Sequence, residues 1–158
     1  MQAPRLRILC TEDDADTREM ITIVLNHNNC DVITAETPLL AVELAKTTRF
    51  DLYLLDNWIP GMSGTELCGA LRLFDPETPI LFYSGAAYPK DKAEAYASGA
   101  QGYLVKPADN DELVAEIFRV ISEAQAKRAS GLNVLPASVA EMNSSIAASG
   151  DYCFAAVG

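Results

Sequence analysis

The chain has 158 residues, 49% of them apolar, and carries 22 acidic against 12 basic side chains for a net charge of -10. That length supports one domain with a sizeable core, while the negative balance repels nucleic-acid phosphates and anionic lipid surfaces and so argues against direct DNA binding. No apolar run approaches the ~20 residues of a membrane span, and the N-terminus lacks the apolar segment of a signal peptide, which predicts a cytoplasmic protein with no membrane partner.

Leu6-Arg7-Ile8-Leu9-Cys10-Thr11 reads as a short strand, followed by the carboxylate run Glu12-Asp13-Asp14. From Asp16 onward, Met20, Ile21, Val24 and Leu25 recur at helical spacing, and the helix ends near Asn28-Asn29. A second strand covers Asp31 to Ala35. Thr37-Pro38 has the form of an N-cap with proline at the first helical position, opening a helix through Leu40, Ala41 and Leu44 to about Thr47. Phe50 to Leu55 is a third, buried strand that stops at Asp56, and the chain then turns through Pro60-Gly61. Ser63-Gly64-Thr65-Glu66 is a capping box for a helix to about Leu73, ended by Asp75-Pro76-Glu77-Thr78-Pro79.

Ile80 to Tyr83 is a fourth strand, leading to Ser84-Gly85-Ala86-Ala87, a hydroxyl followed by small residues that leave room for a ligand. A helix over Asp91 to Ser98 is stopped by Gly99. Gly102 to Val105 is the fifth strand, ended by Lys106-Pro107, and Asp109 to Glu112 is a second capping box. Leu113, Val114, Ile117, Phe118 and Ile121 give the last helix a broad apolar face. This core ends near Lys127-Arg128. The remainder is rich in Ala, Ser and Gly with little periodicity and reads as a flexible tail whose end, Tyr152-Cys153-Phe154, is apolar enough to dock. There are no internal repeats.

Cys10, Cys30, Cys68 and Cys153 are scattered, with no C-x-x-C pair and no histidine cluster, which predicts reduced thiols and no zinc site. Cys10 reads as a small buried hydrophobe. The single histidine, His27, falls near a helix end and is assigned a surface role.

Strict strand-helix alternation implies an α/β fold with a parallel sheet, right-handed crossovers and helices on both faces. The strand ends that carry Glu12/Asp13, Asp56, Ser84 and Lys106 then lie along one edge of the sheet, where ligands of open α/β sheets bind. Each residue alone has an ordinary reading: Asp56 as a turn or cap residue, Ser84 as a turn residue, Lys106 as a surface lysine, Tyr103 as core. Together they describe a site. Clustered carboxylates repel unless a cation joins them, and hard oxygens with open positions suit Mg²⁺, which bridges phosphate oxygens. An aspartate attacking phosphorus gives an aspartyl phosphate, with Lys106 and the Ser84 hydroxyl placed to meet the phosphoryl oxygens.

The combination of Glu12-Asp13, Leu54-Leu55-Asp56 with Pro60-Gly61-Met62-Ser63-Gly64, Ser84-Gly85-Ala86 and Tyr103-Leu104-Val105-Lys106-Pro107 resembles the receiver domain of bacterial two-component response regulators. The resemblance covers residues 5–127 and leaves 128–158 as the tail. It implies a flavodoxin-like, doubly wound, five-stranded sheet of order 2-1-3-4-5 with five helices. It further implies that Asp56 accepts a phosphoryl group from a phosphohistidine on a sensor histidine kinase or a histidine phosphotransfer protein. Asp13 would bind Mg²⁺ directly, Glu12 mainly through water, and Asp56 and the backbone carbonyl of Trp58 would complete the protein ligands. Ser84 and Lys106 would hold phosphoryl oxygens, and Tyr103 is the aromatic that swings inward as the hydroxyl moves. The Lys106-Pro107 bond is expected to be cis.

Two positions depart from the common pattern. Trp58 places a bulky ring two residues past the acceptor, where it would shield the phosphoryl group from water and slow its loss. Ser84 replaces the threonine of many relatives and keeps the hydroxyl. The resemblance makes the chain a phosphoacceptor that catalyses only its own phosphorylation and dephosphorylation, and it places the output surface at 88–98, Tyr103 and 109–126. That face meets an unknown output protein or a second copy. With no further module after residue 128, the expectation is a single-domain regulator or the N-terminal piece of a longer protein. Three alternatives stay open: a phosphate-independent interaction module, an aspartate-nucleophile phosphatase, against which Asp56 lacks a D-x-D pattern, and a flavodoxin, whose FMN phosphate the acidic first loop would repel.

Overall fold

The computed structural model describes residues 2–131. Five strands, β1 (Leu6–Thr11), β2 (Cys30–Ala35), β3 (Leu52–Leu55), β4 (Ile80–Ser84) and β5 (Gly102–Val105), alternate with α1 (Ala15–His27), α2 (Pro38–Thr47), α3 (Gly64–Arg72) and α4 (Pro89–Ser98). A fifth helix, α5, covers 110–131. All strand pairs are parallel and the sheet order is β2-β1-β3-β4-β5, as the resemblance implied. The strands and the helices packed on them belong to a unit ending at Ala124, and a second unit begins at Gln125.

Because side chains alternate across a strand, the sheet divides the core in two. Ile8, Cys10, Leu52, Leu54, Leu81 and Tyr83 pack with Ile21 and Leu25 of α1 and with Leu113, Ile117, Val120 and Ile121 of α5. Leu9, Tyr53, Leu55, Ile80 and Phe82 face Ala41, Leu67, Cys68, Leu71 and Ala95 from α2, α3 and α4. Each fully buried Leu, Ile or Phe contributes roughly 1.5–3 kcal/mol. The central strands are therefore apolar on both faces, and buried polar groups gather at or just past their ends: Thr11, Glu12, Asp56 and Ser84.

Two capping signals act where they were read, while the expected box over Asp109 to Glu112 forms no side-chain cap bond among the described residues and α5 starts from the backbone bond of the Leu113 N–H to the Asp109 carbonyl. Thr37 accepts from the Leu40 N–H ahead of Pro38, and Ser63 and Glu66 form a reciprocal capping box. Gly99 ends α4 with φ 117°, a left-handed conformation that favours glycine. Asp14, read as one of three clustered acids, is the N-cap of α1 and accepts from both the Thr17 N–H and its hydroxyl.

Several boundaries differ from the sequence reading. The third strand begins at Leu52 rather than Phe50: the Asp51 N–H still donates to the Arg7 carbonyl, but the Arg7 N–H is taken by the Asp51 carboxylate rather than by a strand carbonyl. Helix α4 begins at Pro89, whose fixed φ suits a first helical position. Helix α5 passes the expected end at Lys127-Arg128, since Ala126, Lys127, Arg128 and Ala129 all favour helix and the Ser130 hydroxyl donates back to the Ala126 carbonyl. The rest of the expected tail, including Tyr152-Cys153-Phe154, lies outside the described residues.

The two edges of the sheet are held differently. At the edge where β4 and β5 begin, the Arg72 guanidinium donates to the carbonyls of Asp75, Thr78 and Gly99 and to the Gln101 amide oxygen, over 2.7–3.1 Å. At the opposite edge stand the groups described next. No helix among the described residues is long and apolar enough to cross a membrane.

Candidate functional site

Strand β1 runs out at Thr11, and the Glu12 N–H makes the last bond across to Ala35. Glu12 therefore points into the sheet edge, only 2% exposed, while Asp13 is exposed beside it. Strand β3 delivers Asp56 to the same place: its N–H donates to the Thr11 carbonyl at 3.1 Å, and the residue is 8% exposed. Carboxylate oxygens of Glu12, Asp13 and Asp56 lie within 4.8 Å of one another. Three like charges this close need a counter-charge.

Lys106, at the end of β5, supplies one. Its ammonium donates to Glu12 Oε2 at 2.5 Å and to Asp56 Oδ2 at 3.2 Å, and lies 5.3 Å from the centre of the Tyr83 ring. Burial pushes the Glu12 carboxyl above its ordinary value, against the Lys106 ammonium and the Asp14 N–H. Burial pulls the Lys106 ammonium down, but its contacts with Glu12 and Asp56 outweigh this and leave it raised. The remaining oxygens are also held. The Asp14 N–H donates to Glu12 Oε1 at 3.1 Å and the Trp58 N–H to Asp56 Oδ1 at 3.2 Å. The Lys106-Pro107 peptide is cis, as the resemblance led one to expect.

Strand β4 ends in Ser84, fully buried, whose Oγ accepts from the Ala86 N–H at 3.3 Å. The Ala86 carbonyl in turn accepts from the Tyr103 hydroxyl at 2.5 Å. Tyr103 stacks on Phe82 with ring centres 5.7 Å apart. Ala86 thus ties the hydroxyl at the end of β4 to the aromatic on β5.

Trp58 is 71% exposed and lines an open groove of about 500 Å³ with Asp13, Ile59, Pro60, Met62 and Glu66. Cys10 is buried beneath the site, and burial, reinforced by Glu12, pushes its thiol up to about 12, so it supplies no nucleophile. Cys10, Cys30 and Cys68 are free thiols, and Cys153 lies outside the described residues.

The structure therefore gathers Glu12, Asp13, Asp56, Trp58 and Lys106 at one edge and joins Ser84 to Tyr103 beside them. Sequence reasoning assigned no role at the site to two residues that shape it, although Gly64 stood within the motif that begins at Pro60. Gly64, at the start of α3, donates its N–H to the Asn57 carbonyl, and an added Cβ would meet the Asp56 carbonyl and the Asn57 Cα. Arg18, on α1, donates to the carbonyls of Glu12 and Asp13. The signal available was a glycine directly after a cap and a basic residue within a turn of the acids.

Comparison with known proteins places this arrangement. The family model described as the response regulator receiver domain matches residues 8–118. The cell cycle transcriptional regulator CtrA of Caulobacter vibrioides is 34% identical over 120 residues, 76% of this chain and 52% of that protein. The chain thus spans about half the length of the curated relatives it matches. Chemotaxis protein CheY4 of Vibrio cholerae superposes with a TM-score of 0.69 at 32% identity, covering 73% of this chain and 98% of that one. The receiver domain of a sensor histidine kinase from Pseudomonas aeruginosa PAO1, solved with a magnesium ion coordinated in its active site cleft, gives 0.70 at 25% identity, covering 75% and 98%. The matched span starts in β1, just ahead of the acidic pair, and ends in α5, beyond Lys106, so it contains the whole sheet edge: the chain belongs to the response regulator receiver domain family.

Proposed function

We propose that this chain accepts a phosphoryl group on Asp56 from a phosphohistidine of a sensor histidine kinase or histidine phosphotransfer protein, in a Mg²⁺-dependent reaction, and that phosphorylation switches a protein-interaction surface. One observation carries the reading: a lysine ammonium held between Glu12 and Asp56, with the Asp13 carboxylate alongside. Three carboxylates with no nitrogen or sulfur donor among them fit a hard, oxygen-seeking cation. Asp13, exposed, would hold it directly, Glu12 mainly through water, with Asp56 and the Trp58 backbone carbonyl completing the protein ligands. Bound there, Mg²⁺ neutralises carboxylate repulsion and phosphoryl charge.

In the transfer itself, an Asp56 oxygen forms a bond to phosphorus as the donor's N–P bond breaks, and the bond pair returns to the imidazole, which leaves. The Trp58 N–H holds one Asp56 oxygen in place for attack. Lys106 already touches the acceptor, so it needs only a short movement to follow charge onto a phosphoryl oxygen. Ser84 donates its hydroxyl to another, which draws on its bond with Ala86 and, through Ala86, on Tyr103. The phosphoryl dianion that replaces the singly charged Asp56 carboxylate thereby biases an existing equilibrium of the β4–α4 loop and the surface formed by α4, β5 and α5, where an output protein or a second copy binds. The chain catalyses only its own phosphorylation and dephosphorylation. A histidine-kinase donor places it in the cytoplasm.

The test is intact-mass measurement after incubation with Mg²⁺ and acetyl phosphate. A single added phosphoryl group that requires Mg²⁺ and is lost in Asp56→Asn is the expected result; no addition with several donors overturns the reading in favour of a phosphate-independent interaction module.

A further inference from the structure

We propose that Arg18 is a positioning residue for the metal site: its guanidinium grips the backbone on which the Glu12 and Asp13 carboxylates are mounted, and so fixes the direction in which both meet a divalent cation. The inference rests on the Mg²⁺-dependent reading above and deepens it.

Glu12 and Asp13 occupy a short span between two anchored elements. The last β1 ladder bond is the Glu12 N–H to Ala35, and the first helical bond of α1 is the Arg18 N–H to the Asp14 carbonyl at 3.0 Å. Between these, the carbonyls of Glu12 and Asp13 have left the sheet and not yet entered the helix, so they need donors from elsewhere. Arg18 Nη1 donates to both, at 2.9 Å and 2.7 Å, while Nη2 reaches Glu36 at 3.2 Å. The Arg18 side chain is only 15% exposed, against 71% for Glu36. Its planar fork is thus seated in the loop, with Glu36 closing over the outer side. Losing the grip frees two peptide planes to rotate, and the Cα–Cβ bonds of both acids rotate with them.

Arg18 also brings a positive charge toward a cation site, an effect of opposite sign. Glu36 compensates that charge on the spot, so the geometric effect dominates. A lysine would keep the charge but, as a compact point donor, would not span two carbonyls and a carboxylate together.

The test is calorimetric titration of the full chain with Mg²⁺ alone, alongside metal-free thermal melting, for the wild type, Arg18→Ala and Arg18→Lys. The expected result is Mg²⁺ affinity at least fivefold weaker in Arg18→Ala and only partly restored in Arg18→Lys. A structural role alone would lower the melting temperature and leave the affinity unchanged. Wild-type affinity in both variants, or tighter binding in Arg18→Ala, overturns the proposal while leaving the metal reading intact. Failure of the wild type to bind Mg²⁺ overturns both. Should Arg18→Ala not fold, Arg18→Lys decides the question by the same affinity criterion.

Discussion

A methyl group on Gly64 would press on the acceptor itself. The added Cβ would meet the Asp56 carbonyl, and would stand 2.8 Å from both the Asn57 Cα and the Phe82 ring. The first two are backbone atoms, so the acceptor loop must move. Gly64→Ala should cost about 1–3 kcal/mol in denaturant unfolding and slow acetyl-phosphate labelling of Asp56, whereas an alanine at Gly69, with open space around it, should leave labelling unchanged. Trp58 touches the acceptor through its backbone N–H, while its exposed ring lines the groove shared with Asp13; a ring there that restricts the approach of water gives a direct expectation. Trp58→Ala should shorten the lifetime of the phosphorylated species several-fold in a time course of intact mass.

The connection from α3 to β4 shows how an element boundary sets acid sensitivity. Asp75 Oδ1 accepts from the N–H groups of Glu77 and Thr78, and Oδ2 accepts from the Tyr53 hydroxyl at 2.6 Å. Partial burial opposes ionisation, but these bonds, Thr78 foremost, hold the carboxyl down at about 2 against an ordinary 3.8. A carboxyl lowered in the folded state contributes stability that is fully present above the ordinary value and lost as pH falls toward the lowered one. Unfolding free energy should therefore drop between about pH 4 and 2, and Asp75→Asn should flatten that part of the profile. At the same scale lies the answer to what the sequence discloses. Thr37-Pro38 and Ser63 with Glu66 were legible because caps are local, made by residues a few positions apart. Asp14 was misread as a third clustered acid because a cap and a ligand use the same carboxylate chemistry. Asp56, Glu12 and Lys106 were found from strand ends alone, since a parallel sheet brings such ends to one edge. Arg18 went unread, and Gly64 was read only as part of a motif and a cap, because their roles at the site depend on which loops fold over them, and no spacing rule encodes that. The end of α5 was placed early because alanine-rich composition reads equally as helix or tail.

For the molecule as a whole, the acidic edge exchanges stability for binding. Three carboxylates with a single ammonium between them leave net negative charge in a chain already at -10. A cation that binds only the folded state stabilises it by mass action, about 2.7 kcal/mol at a hundredfold excess over Kd. Mg²⁺ should raise the melting temperature by several degrees, and Asp13→Asn should abolish most of that rise while changing the metal-free melting temperature little. The contrast between the two sheet edges carries a further consequence. Arg72 fastens Gly99, at the far end of α4, to the starts of β4 and β5, while Ala95 is the one buried residue along the helix. Helix α4 is consequently fastened chiefly at its Gly99 end, where Ser98 also accepts from the Cys68 thiol, while the opposite end carries the exposed Tyr88 ring out beside the Ser84 loop.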